Sequence, residues 1–185
     1  VHKLTLEDLK RELRDWERRF PRLKDDELFV AWFLRAYVTD DEEQAARALA
    51  GRSRDKGVDA VLIDDNVNSV FIAQGKLRQS LMKTSEKRDH VMGFAQLAHT
   101  LFGSADTWET HVEKLAADTR YRLDSARERL LQRGYRLHLS YVTTGRVASD
   151  LVTEARRHAR SISAETDHPP NFVVLDGREV IALLG

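Results

Sequence analysis

Cysteine is missing from all 185 residues, so neither a disulfide framework nor a thiolate zinc site is open to this chain. Net charge is missing too. Thirty basic and thirty acidic residues cancel, and without a global field a polyanionic partner must be met by local patches. No apolar run approaches the roughly 20 residues of a membrane span, and the N-terminus has no signal-peptide core. Internal repeats and low-complexity tracts are absent as well. These absences read as a soluble, cytoplasmic protein with no membrane partner. The chain begins at Val1 without methionine and stops at Gly185, directly after an apolar segment, which reads as a domain excised from a longer protein.

What is present is enough for one domain with a real hydrophobic core. Leu6, Leu9, Leu13, Trp16 and Phe20 form the apolar stripe of a charged helix over 5–19, stopped by Pro21, with Thr5 and Asp8 spaced as a capping box. A second helix is expected over 25–37 and a third over 40–50, capped by Thr39. After a hairpin, helical spacing returns over 89–101, then over 106–133 as one long helix closed by Gly134, and again over 147–160. Strands are expected over 137–143 and 171–175, with another over 179–184. The order predicts an α/β or α+β sandwich, α/β being preferred, with a small mixed β-sheet flanked by helices. Residues 1–24 supply an N-terminal helix and 25–185 the core of a single domain.

The hairpin carries the strongest signal. Gly57-Val58-Asp59-Ala60-Val61-Leu62-Ile63-Asp64 is followed, after a short turn, by Phe71-Ile72-Ala73-Gln74-Gly75-Lys76. On the second strand Val70, Ile72, Gln74 and Lys76 share one face, while Phe71, Ala73 and Gly75 take the other. Pairing around a turn centred between Asn66 and Val67 sets Asp59 opposite Gln74, with Cβ atoms about 5 Å apart. A two-residue loop would ask Val67 for a positive φ, which a β-branched side chain resists. A four-residue loop from Asp65 to Asn68 keeps the pairing and suits Asp and Asn. A slip by one residue would separate Asp59 from Gln74.

Asp59, Gln74 and Lys76 side by side are a poor packing choice but a useful chemical one. A phosphodiester repels nucleophiles and has a poor leaving group, and Mg²⁺ (or Mn²⁺) answers both by activating water and neutralising charge. That ion takes oxygen ligands, few of them from protein. Asp59 offers a carboxylate, Gln74 an amide oxygen, and Lys76 an amine that as ammonium holds water or stabilises phosphate charge and as the free base deprotonates water. Glu27, near the start of the second helix, is the candidate second acid, with Asp25, Asp26, Glu42 and Glu43 nearby as competitors for the role. Arg52, Arg54 and Lys56 before the hairpin, with Arg78 and Lys83 after it, are candidate nucleic-acid contacts; in a chain so rich in charge they also suit plain solvated loops. Asp59 alone could as well pair with Lys56 or Lys76.

Glu in an early helix, Gly-x-Asp at a strand and Gln-x-Lys on the next strand resemble the PD-(D/E)XK (restriction-endonuclease-like) nuclease superfamily. The runs Asp26-Glu27-Leu28-Phe29, Gly57-Val58-Asp59-Ala60 and Gln74-Gly75-Lys76-Leu77-Arg78 look more narrowly like the N-terminal domain of abortive-infection phage-resistance (AIPR) proteins. The likeness covers roughly residues 25–100. It implies a restriction-endonuclease-like core and a metal-dependent endonuclease acting on nucleic acid, double-stranded DNA in particular, in bacterial antiphage defence. It also implies attachment to the C-terminal region of a parent protein, and a homodimer is compatible with it. Asp59, Gln74 and Glu27 would then be metal ligands and Lys76 the catalytic lysine. The alternatives are an inactive nucleic-acid-binding domain of the same fold, or an assembly module using the 106–133 helix as its seam.

Overall fold

Capping residues and apolar stripes account for the first layer of the molecule. The structure, a computed structural model, describes residues 2–50, 57–162 and 166–185. Helix α1 (Leu6–Arg19) buries Leu6, Leu9, Leu13 and Trp16. Its start is fixed as the sequence suggests, with the Thr5 amide and hydroxyl both donating to the Asp8 carboxylate at 2.8 and 3.0 Å. Helix α2 (Asp25–Tyr37) is buried without a break from Leu28 to Leu34, as befits a helix covered on several sides. Helix α3 (Glu42–Arg47) is shorter than its expected span. Asp41, not Thr39, caps it by accepting from the amides of Glu43 and Gln44. The chain then leaves the helix so that Leu49 bridges to Ala60.

The sheet has four strands in sequence order: β1 (Ala60–Asp64), β2 (Ser69–Lys76), β3 (Arg136–Thr143) and β4 (Asn171–Leu175). β1 and β2 are antiparallel, while β2, β3 and β4 run parallel. The parallel steps cross over through α4 (Arg88–Leu101), α5 (Ala105–Val112) and α6 (Ala117–Arg133), then through α7 (Ser149–Arg160). A short helix, α8 (Gly177–Ala182), ends the chain.

Strand alternation divides the interior in two. Val61, Val70, Ile72, Leu137, Leu139, Tyr141, Phe172 and Val174 pack with α4–α7 on one face. Ala60, Leu62, Ala73, Val142 and Leu175 pack with α1, α2, α3 and α8 on the other. The chain is therefore an α/β protein with a small, open, mixed sheet between helical layers.

Two expectations are corrected. The 106–133 segment is two helices, broken at 113–116. Trp108 Nε1 donates to Asp124 Oδ1 at 2.7 Å and Arg120 pairs with Glu109, so α5 folds back on α6 and both feed the core. No continuous 28-position seam exists for an assembly module. The 179–184 segment is helical, not a strand. Asp176 accepts from the amides of Arg178 and Glu179 and starts α8.

Candidate functional site

The hairpin pairs in the expected register as far as Ala60, one residue short of Asp59. Ala60 pairs with Ala73 and Asp64 with Ser69, the connection is the four-residue loop 65–68, and Asn68 takes the left-handed conformation at φ +50°. Asp59 lies outside the paired ladder, which ends at Ala60 and Ala73; its amide donates to the Ala73 carbonyl at 2.9 Å, so Asp59 and Ala60 both meet Ala73, as at a β-bulge. Its carboxylate then accepts from the Gly75 amide at 2.8 Å. Gly75 faces the α2 layer, where a Cβ would come within 2.6 Å of Val30 Cγ2. The strand can approach that helix only without a side chain there.

Because β1 runs against the other three strands, its start lies at the same end of the sheet as the C-terminal ends of β2, β3 and β4. This is the end at which open α/β sheets hold ligands. Gln74 pairs with Tyr141 and Lys76 with Thr143, so these four side chains share the face toward α4–α7. Gln74 is 5% exposed. Among the described residues its amide forms no side-chain hydrogen bond. Gly57, at φ +79°, closes over it, and a Cβ at Gly57 would stand 3.1 Å from Gln74 Oε1. The Gln74 amide thus reaches the strand entry that holds Asp59.

Burial pushes the Asp59 carboxyl above its ordinary value; the Gly75 amide and Lys76 oppose this without overcoming it, and Asp26 adds to it. Asp26 is the helix acid that Asp59 feels. Glu27 turns back instead, accepting from the Lys24 amide at 3.1 Å and closing the first turn of α2. The structure thus engages Glu27 as a cap and puts its neighbour toward the site.

One cluster escaped the sequence reading. Glu86 lies in the loop between β2 and α4 with its side chain fully buried. It accepts from Arg78 Nε at 2.9 Å and Nη2 at 2.7 Å, from the Tyr141 hydroxyl at 2.9 Å and from the Thr143 hydroxyl at 2.9 Å. Burial alone would raise its pKa, but these donors outweigh it and hold the carboxyl below its ordinary range. Burial and the Glu86 charge push the Tyr141 phenol far upward, so Tyr141 stays a neutral donor. Polar Tyr141 and Thr143 on a face that otherwise reads Leu137, Leu139 were the available signal. Glu86 itself, between Ser85 and Lys87, gave none.

Of the expected basic contacts, Arg78 stands in this cluster and Lys83 is exposed on the same loop. Arg52, Arg54 and Lys56 lie outside the described residues. Gln96 does not join the site, as its Oε1 is 2.6 Å from His158 Nε2.

Asp59, Asp26 and the Gln74 amide offer oxygen donors of the kind a hard divalent cation takes. Among the described residues no three His, Asp or Glu gather to hold a metal. Neither a family model, nor a curated protein, nor a solved structure matches this chain.

Proposed function

We propose that this chain is the restriction-endonuclease-like core of a divalent-metal-dependent nuclease that hydrolyses phosphodiester bonds, DNA foremost, in the bacterial cytoplasm as part of antiphage defence. The observation that carries the reading is a desolvated Asp59 whose carboxylate accepts from the Gly75 amide, between Gln74, which is 5% exposed and forms no side-chain hydrogen bond among the described residues, and Lys76 on the same face as Gln74. A packing role would have satisfied the amide or replaced it with an apolar side chain.

In this reading Asp59, Gln74 and Asp26 hold Mg²⁺ or Mn²⁺, which supplies water activation and charge neutralisation when bound. Lys76 lies at the strand end, where its ammonium holds the attacking water or meets charge growing on the phosphate. Gly75 keeps Asp59 in place through its amide. Glu27 contributes by fixing the start of α2, which orients Asp26.

A second reading, a domain that binds nucleic acid without cutting it, draws on a different observation: acids do not gather in threes among the described residues. One experiment separates the two. Plasmid DNA is incubated with wild type and Lys76→Ala in Mg²⁺, Mn²⁺ or EDTA, and thermal melts are recorded with and without Mn²⁺. The nuclease reading expects metal-dependent nicking that Lys76→Ala abolishes. It also expects a melting temperature that Mn²⁺ raises in wild type but not in Asp59→Asn, since a ligand stabilises only the state that binds it. No cutting and no Mn²⁺ shift would leave the second reading.

A further inference from the structure

The Glu86 cluster has no part in the chemistry above, yet it treats its two charged members unequally. Glu86 is satisfied, with four donors on two oxygens. Arg78 is not. A guanidinium offers five N–H groups in a rigid fork, and only Nε and one Nη2 proton are engaged. Among the described residues the Nη1 edge has no hydrogen-bond partner, and 31% of the side chain remains exposed. Its backbone is tied as well: the Arg78 amide donates to Thr144 Oγ1 at 2.6 Å, and that hydroxyl donates back to the Arg78 carbonyl at 3.3 Å. Arg78 is therefore held at both ends while presenting a bare cationic edge, two residues beyond Lys76.

We propose that Arg78 is a phosphate-binding residue of the nucleic-acid partner's backbone, and that Glu86 is the residue that positions it. An arginine already fixed loses little further freedom when it binds, and its planar fork matches two phosphate oxygens. The inference rests on the reading of this mouth as a nucleic-acid site, though not on turnover. The rival account is a clamp that merely pins residues 77–87 to β3. It explains Glu86 and Thr144 but gives no role to the exposed edge.

The test is binding of a short fluorescein-labelled DNA duplex in EDTA across a salt series, so that cleavage plays no part. Wild type is expected to bind with an affinity that falls as salt rises. Arg78→Met combined with Glu86→Gln removes both charges and leaves an amide for Tyr141. It is expected to bind about tenfold more weakly, with a log–log salt slope shallower by about one. A folded double variant with wild-type affinity and slope overturns the proposal, as does wild type without salt-dependent binding. Should the double variant fail to fold, Arg78→Lys decides: it keeps a cation for Glu86 but loses the fork. A clear loss of affinity at unchanged slope supports the proposal, and an unchanged Kd overturns it.

Glu86→Gln alone tests positioning. Simple removal of a nearby negative charge would tighten binding, whereas freeing Arg78 weakens it. Tighter binding therefore overturns the role given to Glu86. Metal-dependent cutting with an unchanged salt slope would spare the nuclease reading and remove this one. A reduced slope without cutting would do the reverse.

Discussion

Asp59 is raised by burial and by Asp26, and the Gly75 amide with Lys76 only partly offset this. For an acid whose folded pKa is raised, the native state holds a proton that the unfolded chain has released. Stability then falls as pH climbs through that window, and the cost stays above it. Asp59→Asn removes the charge and can still accept from Gly75. It is therefore expected to stabilise the metal-free protein by about 0.5–2 kcal/mol at pH 7, a rise of roughly 2–4 °C in melting temperature per kcal/mol at this size. Melts in EDTA at neutral pH check this. A variant that melts lower than wild type would show Asp59 to be structural. Glu86 marks the opposite case, a carboxylate held down by its donors, where deleting one partner destabilises.

The element that sets the geometry is the β1–β2 hairpin pressed on α2. Gly75 is the contact point, and the neighbour that a Cβ would meet at 2.6 Å is a methyl group of the buried Val30, not a mobile chain end. Gly75→Ala is expected to cost about 1–3 kcal/mol by overpacking, read as a lower urea midpoint. Val30→Ala in the same chain should recover part of that loss, through a coupling between touching residues. Strict additivity would show that the two side chains do not meet. The hairpin was legible because period-two alternation and an Asp/Asn loop specify register. The break at 113–116 was not, because Trp108, Val112, Leu115, Thr119, Leu123, Ala126 and Leu130 keep one helical phase straight across it. No glycine or proline marks the spot. The turn shows only in tertiary bonds, from Trp108 to Asp124 and from Arg120 to Glu109. The start of α8 was legible in principle, since Asp176 and Glu179 have capping-box spacing.

On the scale of the whole molecule, the sheet layering followed from alternation, while the packing of α4 on α7 and of β3 on its neighbours joins residues far apart in sequence. Two histidines sit at those joints. His158 stacks on His99 with centroids 4.3 Å apart, lies 2.6 Å from Gln96 Oε1, and has Glu154 near it. His138 stacks on Phe71 at 4.5 Å, beside Ser69 and Asn171. Burial lowers both, helped by His99 in one case and Arg136 in the other. A base with a lowered folded pKa stays neutral where the unfolded chain is already protonated, so the unfolded state binds more protons below its ordinary 6.5. Stability is thus whole above that value and falls as pH drops beneath it. Glu86 and Asp65, both lowered, add a second loss only at more acidic pH, through the carboxylate range. Urea midpoints at about pH 7.5, 6.5 and 5.5 should therefore decline in wild type before Glu86 and Asp65 titrate, with the raised Asp59 acting in the opposite direction. The variant carrying His138→Gln and His158→Gln should decline less over the same interval, since glutamine keeps a hydrogen bond without a charge to suppress. An equal slope in both proteins would move the acid sensitivity away from these joints.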